Sequence, residues 1–269
     1  METGKDKIYD IFQPRRLGLL FRRDLAASYR TILIAAAVVA GLMLLSSLLA
    51  GWRHEDGGAH QVFYLQILFI GGYLVSSRAF REVHDPQKAY TCVLLPASPL
   101  EKFASRVLAT SLIYTLGTLI AYLGVAGLYE LLNRLLFGFS RRLFNPFSRG
   151  MLLTLAAYLI TQSLFVLGSA WFRKTAFLKT LLVLFVILIL TALIAYFSLV
   201  LLLPDYFDGL APVKDLEPHF RYLESRGWQG GGVARFFRIV AEAARIFFWG
   251  LLAPLCWFLG YRKFRRIEV

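Results

Sequence analysis

Between two apolar segments lies Arg78 to Arg106, RAFREVHDPQKAYTCVLLPASPLEKFASR, a long polar interruption dense in charge, proline and small residues. Arg81, Glu82, His84, Asp85 and Lys88 crowd its first half, on a helix–turn bounded by Pro86. Both charge signs within one turn suit ion pairing with another protein's surface. In the second half Ser98 has the spacing of a helix N-cap, with Pro99 at the first helical position and Glu101 three residues on, which is a capping box. Pro96 precedes it and Lys102 follows. A capped helix here runs straight into the next apolar segment and is stiff enough to carry a push. Such a stretch suits docking and force transmission rather than bond making. A plain connecting loop with ordinary caps accounts for the spacing equally well.

Bond-making motifs are missing. No G-x-x-x-x-G-K-[ST] occurs, so ATP is not bound through a P-loop in this chain, and no H-E-x-x-H or G-x-S-x-G occurs. His54, Glu55, Asp56 and His60 lack repeated metal-ligand spacing and read as a solvated turn. Asp205 and Asp208 are too few carboxylates for calcium. Cys92 and Cys256 fall in a polar loop and an apolar run, so two reduced thiols are expected.

The elements that position the loop are membrane spans. Of 269 residues 58% are hydrophobic and 17% charged, with a mean hydropathy of +0.59; soluble domains are about a quarter charged. The net charge is +13, but the cations fall between apolar runs, the pattern of headgroup contact and not of nucleic acid binding. The fold class expected is an all-α polytopic membrane protein with six spans, near 31–51, 61–77, 107–129, 151–172, 180–203 and 246–261, against the roughly 20 residues a bilayer core needs, the second being short. Residues 1–30 read as an interfacial amphipathic leader broken at Pro14 and followed by a retained anchor, not a cleaved signal. Gly71, Gly72, Ser76 and Ser77 in span two, and Gly117, Ala121, Gly124 and Gly127 in span three, offer close-packing positions. Residues 130–149 read as a shallow interfacial helix, 204–245 as an external loop with an amphipathic or re-entrant element at 233–245, and Pro254 as a kink.

With six spans the termini share a side. The segments then inside (leader, 78–106, 173–179 and tail) hold 19 of the 30 lysines and arginines, which favours cytoplasmic termini. Span interiors carry Gln66, Gln162 and hydroxyls but no central charge, which disfavours an ion-coupled carrier.

The amphipathic leader, six spans, the stretch LLPASPLEKFASRVL between spans two and three and the amphipathic element before the last span together resemble ABC-2 type transporter permeases. The architectural likeness covers the whole chain; the motif covers Leu95 to Arg106. The resemblance implies a permease that pairs with a second copy of itself and with separate ABC ATPase subunits in a bacterial plasma membrane. ATP and magnesium would be bound by the partner, with no cofactor in this chain. It implies a coupling helix at Arg81 to Lys88, a second ATPase contact at Leu94 to Lys102, and a pathway between the copies from spans two and five, lined by Tyr64, Gln66, Tyr73, Phe185, Thr191 and Tyr196. The spans show no aromatic ladder, which argues against sugar polymers and leaves lipid-like molecules, peptides or drugs as cargo. From another class, a non-transporting scaffold or regulator would use the same loop for docking. An intramembrane enzyme acting on lipid needs a polar cluster at membrane depth, and the sequence does not display one.

Overall fold

The computed structural model describes residues 13–23, 26, 37, 40–41, 62, 64–85, 94, 97–137, 146–202, 207–208, 211–212 and 232–268. Within them the protein is all-α, apart from a two-residue antiparallel pairing of Phe207–Asp208 (β1) with Ala211–Pro212 (β2). Four helices are long and apolar enough to cross a membrane, Pro99–Leu128, Arg149–Trp171, Ala176–Ser198 and Arg238–Ile267. That is the character of a multi-pass membrane protein. The expected first span, 31–51, lies outside the described residues except for Ala37, Ala40 and Gly41, which are helical. The chain divides into two compact units, Met1–Phe177 with Ala253–Val269, and Leu178–Leu252.

In the first unit, helix α1 covers 14–23. Pro14 opens it, at the position where a missing N–H costs nothing, and the Gln13 carbonyl accepts from the N–H groups of Arg16 and Leu17. Helix α2, 64–77, contains a π-helical stretch, Ile67–Gly71, and then Gly72–Ser77. Helix α3, 99–137, is continuous through Pro99–Leu108, a second π stretch at Ala109–Ile113, and Tyr114–Phe137. The capped helix thus runs straight into the apolar helix expected as the third span, and it continues to Phe137 where a separate interfacial helix was expected from residue 130. Thr110, Thr115 and Thr118 donate to the carbonyls of Arg106, Ser111 and Tyr114, so these three hydroxyls are satisfied within the helix.

Helix α4, Arg149–Trp171, starts at the N-cap Ser148, whose Oγ accepts from the Met151 N–H. The short turn 172–175 leads to helix α5, Ala176–Leu202. Thr175 takes the left-handed conformation there, φ 53°.

Two apolar clusters hold the first unit. One joins Tyr64 and Leu68 of α2 to Tyr122, Val125 and Ala126 of α3 and to Met151 and Tyr158 of α4. Close approach depends on glycine: a Cβ at Gly72 would collide with the Tyr158 ring, and one at Gly71 with the Tyr114 hydroxyl. The small residues of span two do permit tight packing. Those of span three differ, because Gly117, Gly124 and Gly127 lie on the exposed face of α3, with open space where a Cβ would sit. The second cluster is Phe80, Val83, Phe103, Val166, Ala170 and Phe264.

The second unit contains most of α5, the β1–β2 pairing and the first part of helix α6. In α5 Thr180 is the buried exception among described side chains; hydrocarbon is an adequate solvent for such a helix. Helix α6 runs unbroken over 232–268, through Gly232–Ile246, a π stretch at Phe247–Leu251, and Leu252–Glu268. The amphipathic element at 233–245 is therefore the start of the last span's own helix. Its π stretch ends three residues before Pro254, within the turn that the proline ring cannot fit in regular form.

Candidate coupling site

Arg81–His84 forms a single 3-10 turn, shorter than the helix expected over Arg81 to Lys88. Lys88 and Pro96 lie outside the described residues. The turn is fastened to three helices of the first unit. Phe80, just before it, stacks on Phe103 of α3 with ring centroids 5.1 Å apart and planes 9° apart. It also meets Phe264 of α6 at 5.2 Å. Phe80 and Phe264 are each 1% exposed.

Arg106 of α3 adds the polar ties. Its Nη1 donates to the Ala79 carbonyl at 2.7 Å, its Nη2 pairs with Glu82 at 3.0 Å, and its guanidinium lies 5.9 Å from the Phe80 ring centre. Glu82 is largely exposed, so that ion pair contributes at most about 1 kcal/mol. Truncating a buried phenylalanine costs about 3–5 kcal/mol. Aromatic packing therefore holds the turn, and Arg106 sets its register.

His84 completes the third attachment. Its ring Nε2 lies 3.2 Å from the Ser169 carbonyl in the last turn of α4, where open carbonyls need donors. The neutral ring with its proton on Nε2 donates there. Burial pushes His84 below the ordinary histidine pKa, and the Arg173 and Lys263 charges push the same way; the Ser169 carbonyl opposes them.

The expected capping box is present in full. Ser98 Oγ accepts from the Glu101 N–H at 3.2 Å, and Glu101 Oε2 accepts from the Ser98 N–H at 2.9 Å. The other carboxylate oxygen, Oε1, accepts from the Gln13 N–H at 2.6 Å. Glu101 is fully buried, and Ser98 and Lys102 are buried beside it. One carboxylate thus serves the starts of both α1 and α3, where an anion also meets the positive ends of the helix dipoles.

Arg81 and Glu82 face outward and Asp85 is half-buried after the turn. Of the residues assigned to a pathway, Tyr64 is buried against Tyr122, ring centroids 4.8 Å apart. Tyr73 bonds Thr161 through its hydroxyl at 2.7 Å and stacks on Phe165 at 4.2 Å. Both rings pack inside the bundle, whereas Gln66 is exposed. Phe185 is 57% exposed, Thr191 donates to the Ile187 carbonyl of its own helix, and Tyr196 is half-buried beside Phe197.

The sequence hid a polar seam in the bundle. Gln162 of α4, fully buried, donates through Nε2 to Ser76 Oγ at 2.7 Å, and Ser76 donates to the Gly72 carbonyl. Tyr114 donates to the Ile67 carbonyl at 2.8 Å, within the π stretch of α2. These bonds tie α2 to α3 and α4. Among the described residues no group of three metal-ligating side chains occurs.

No family model, curated protein or solved structure matches this chain.

Proposed function

We propose that this chain is the membrane-spanning permease subunit of an ATP-driven exporter of the ABC-2 type. It has six spans, works as a pair of identical copies and keeps both termini on the cytoplasmic side of a bacterial plasma membrane. A separate ATPase subunit binds ATP and magnesium and docks on the loop 78–106. Arg81, Glu82, His84 and Asp85, with Lys88, form the first contact, and the start of α3 around Pro96, Ser98, Glu101 and Lys102 forms the second.

One observation carries this reading: the turn Arg81–His84 is stacked and hydrogen-bonded onto the base of α3 through Phe80, Phe103 and Arg106. A load on the turn passes to α3 through the aromatic stack and to α4 through His84. The capping box prevents the first turn of α3 from fraying under that load. The π stretches of α2 and α3, bridged by Tyr114 and Ile67, offer a place for the helices to change register, since such turns hold their hydrogen bonds less regularly. The uncovered apolar surface of α5 leaves room for a second copy, and span interiors without charge suit amphipathic, lipid-like, peptide or drug cargo crossing between the copies.

The experiment is purification in mild detergent followed by reconstitution. A P-loop ATPase that copurifies, and whose turnover rises with cargo in vesicles, supports the permease. A loop that binds a protein without a P-loop, with no ATP-dependent flux, makes the chain a scaffold instead.

A further inference from the structure

We propose that Lys263, set over the exposed ring of Trp171, and Arg173, two residues after that ring in the turn that follows α4, bind the phosphate of an anionic phospholipid headgroup. Trp171 ends α4 and is 53% exposed. Lys263, from α6, places its Nζ 5.7 Å from the centre of that ring. One residue earlier Arg262 lies 5.8 Å from the ring of Phe258, which is 58% exposed. Both pairs put a bare aromatic ring beneath a cation at the end of an apolar helix. An acyl chain fits the rings and the phosphate of the same molecule fits the cations.

Arg173 and Lys263 come from different parts of the chain, yet both act electrostatically on His84. Trp171 links them, since Lys263 lies over its ring and Arg173 follows it by two residues. Neither makes an ion pair with a described acidic side chain. Cations gathered without an anion repel one another, and a phosphate relieves that repulsion. A lipid is favoured over an acidic protein because Lys263 and Arg262 lie over exposed apolar rings on helices long and apolar enough to cross a membrane. The inference needs only the membrane character of the chain and is independent of the exporter reading.

The test uses the full chain in phosphatidylcholine vesicles, titrated with brominated phosphatidylglycerol or brominated phosphatidylcholine. Quenching of Trp171 is taken as the difference between the protein and Trp171→Phe. The anionic lipid is expected to bind more tightly, and Lys263→Gln and Arg173→Gln are each expected to reduce that preference about fivefold, from the usual worth of one basic residue near a charged surface. Lys263→Arg is expected to keep it. Equal quenching of the unaltered protein by the two lipids overturns the proposal without any variant. A preference unchanged in both glutamine variants, or one abolished by inorganic phosphate at constant ionic strength, also overturns it.

Discussion

The carboxylate of Glu101 accepts from the backbone N–H of Gln13 at 2.6 Å, across 88 residues of sequence. The same side chain closes the capping box at Ser98, so a single buried group fixes the entry to α3 and the start of α1. Glu101→Ala removes a cap and leaves donors unanswered. It is expected to lower stability by about 1–3 kcal/mol and to expose the chain near residue 13 to protease. Thermal unfolding in detergent with limited proteolysis checks both; an unchanged cleavage pattern would show that α1 is held by other means.

Gly72 of α2 packs against Tyr158 of α4, whose ring fills the space a Cβ would need. Gly72→Ala is expected to cost about 1–3 kcal/mol by overpacking. Replacing the ring as well, Gly72→Ala with Tyr158→Leu, is expected to recover part of that loss, because the obstructing atoms are gone. Strictly additive losses in a double-mutant cycle would mean the two residues do not share the contact.

His84 makes stability depend on pH. Its folded-state pKa lies below the usual 6.5, chiefly through burial, so the unfolded chain takes up the proton first as pH falls. The contribution is present in full above about pH 6.5 and drains away as pH drops through the folded-state value. Protonation also adds a charge near Arg173 and Lys263. Melting temperatures of the protein and of His84→Gln, measured from pH 8 to about pH 5, are expected to converge toward acid. Parallel curves would remove His84 as the source.

What was legible in the sequence was local. The capping box lies within four positions, and Ser98, Pro99 and Glu101 announce it. Pro14 likewise marks the start of α1, and Gly71, Gly72 and Ser76 mark a close-packed span. The site's long-range attachments carry no such signal: nothing near Phe264 indicates that it meets Phe80, and nothing near Gln13 points to Glu101. Gly117, Gly124 and Gly127 have the composition of a packing face, but the α3 residues that pack into the core are Tyr122, Val125 and Ala126, and the glycines lie on the exposed side. At 233–245 the change in hydropathy suggests a break, whereas VAEAARI has high helix propensity, and the helix continues.

The central claim is that the turn Arg81–His84 passes a partner ATPase's work into α3. The most direct measurement is cargo-dependent ATP hydrolysis and flux in vesicles holding the chain with its copurifying ATPase, with and without Glu82→Arg and Asp85→Ala. The account predicts that the ATPase still binds nucleotide while flux, and its stimulation of hydrolysis, fall by about tenfold or more, equivalent to about 1.4 kcal/mol of lost coupling. Full coupling in both variants, or the absence of any copurifying P-loop protein, would contradict it.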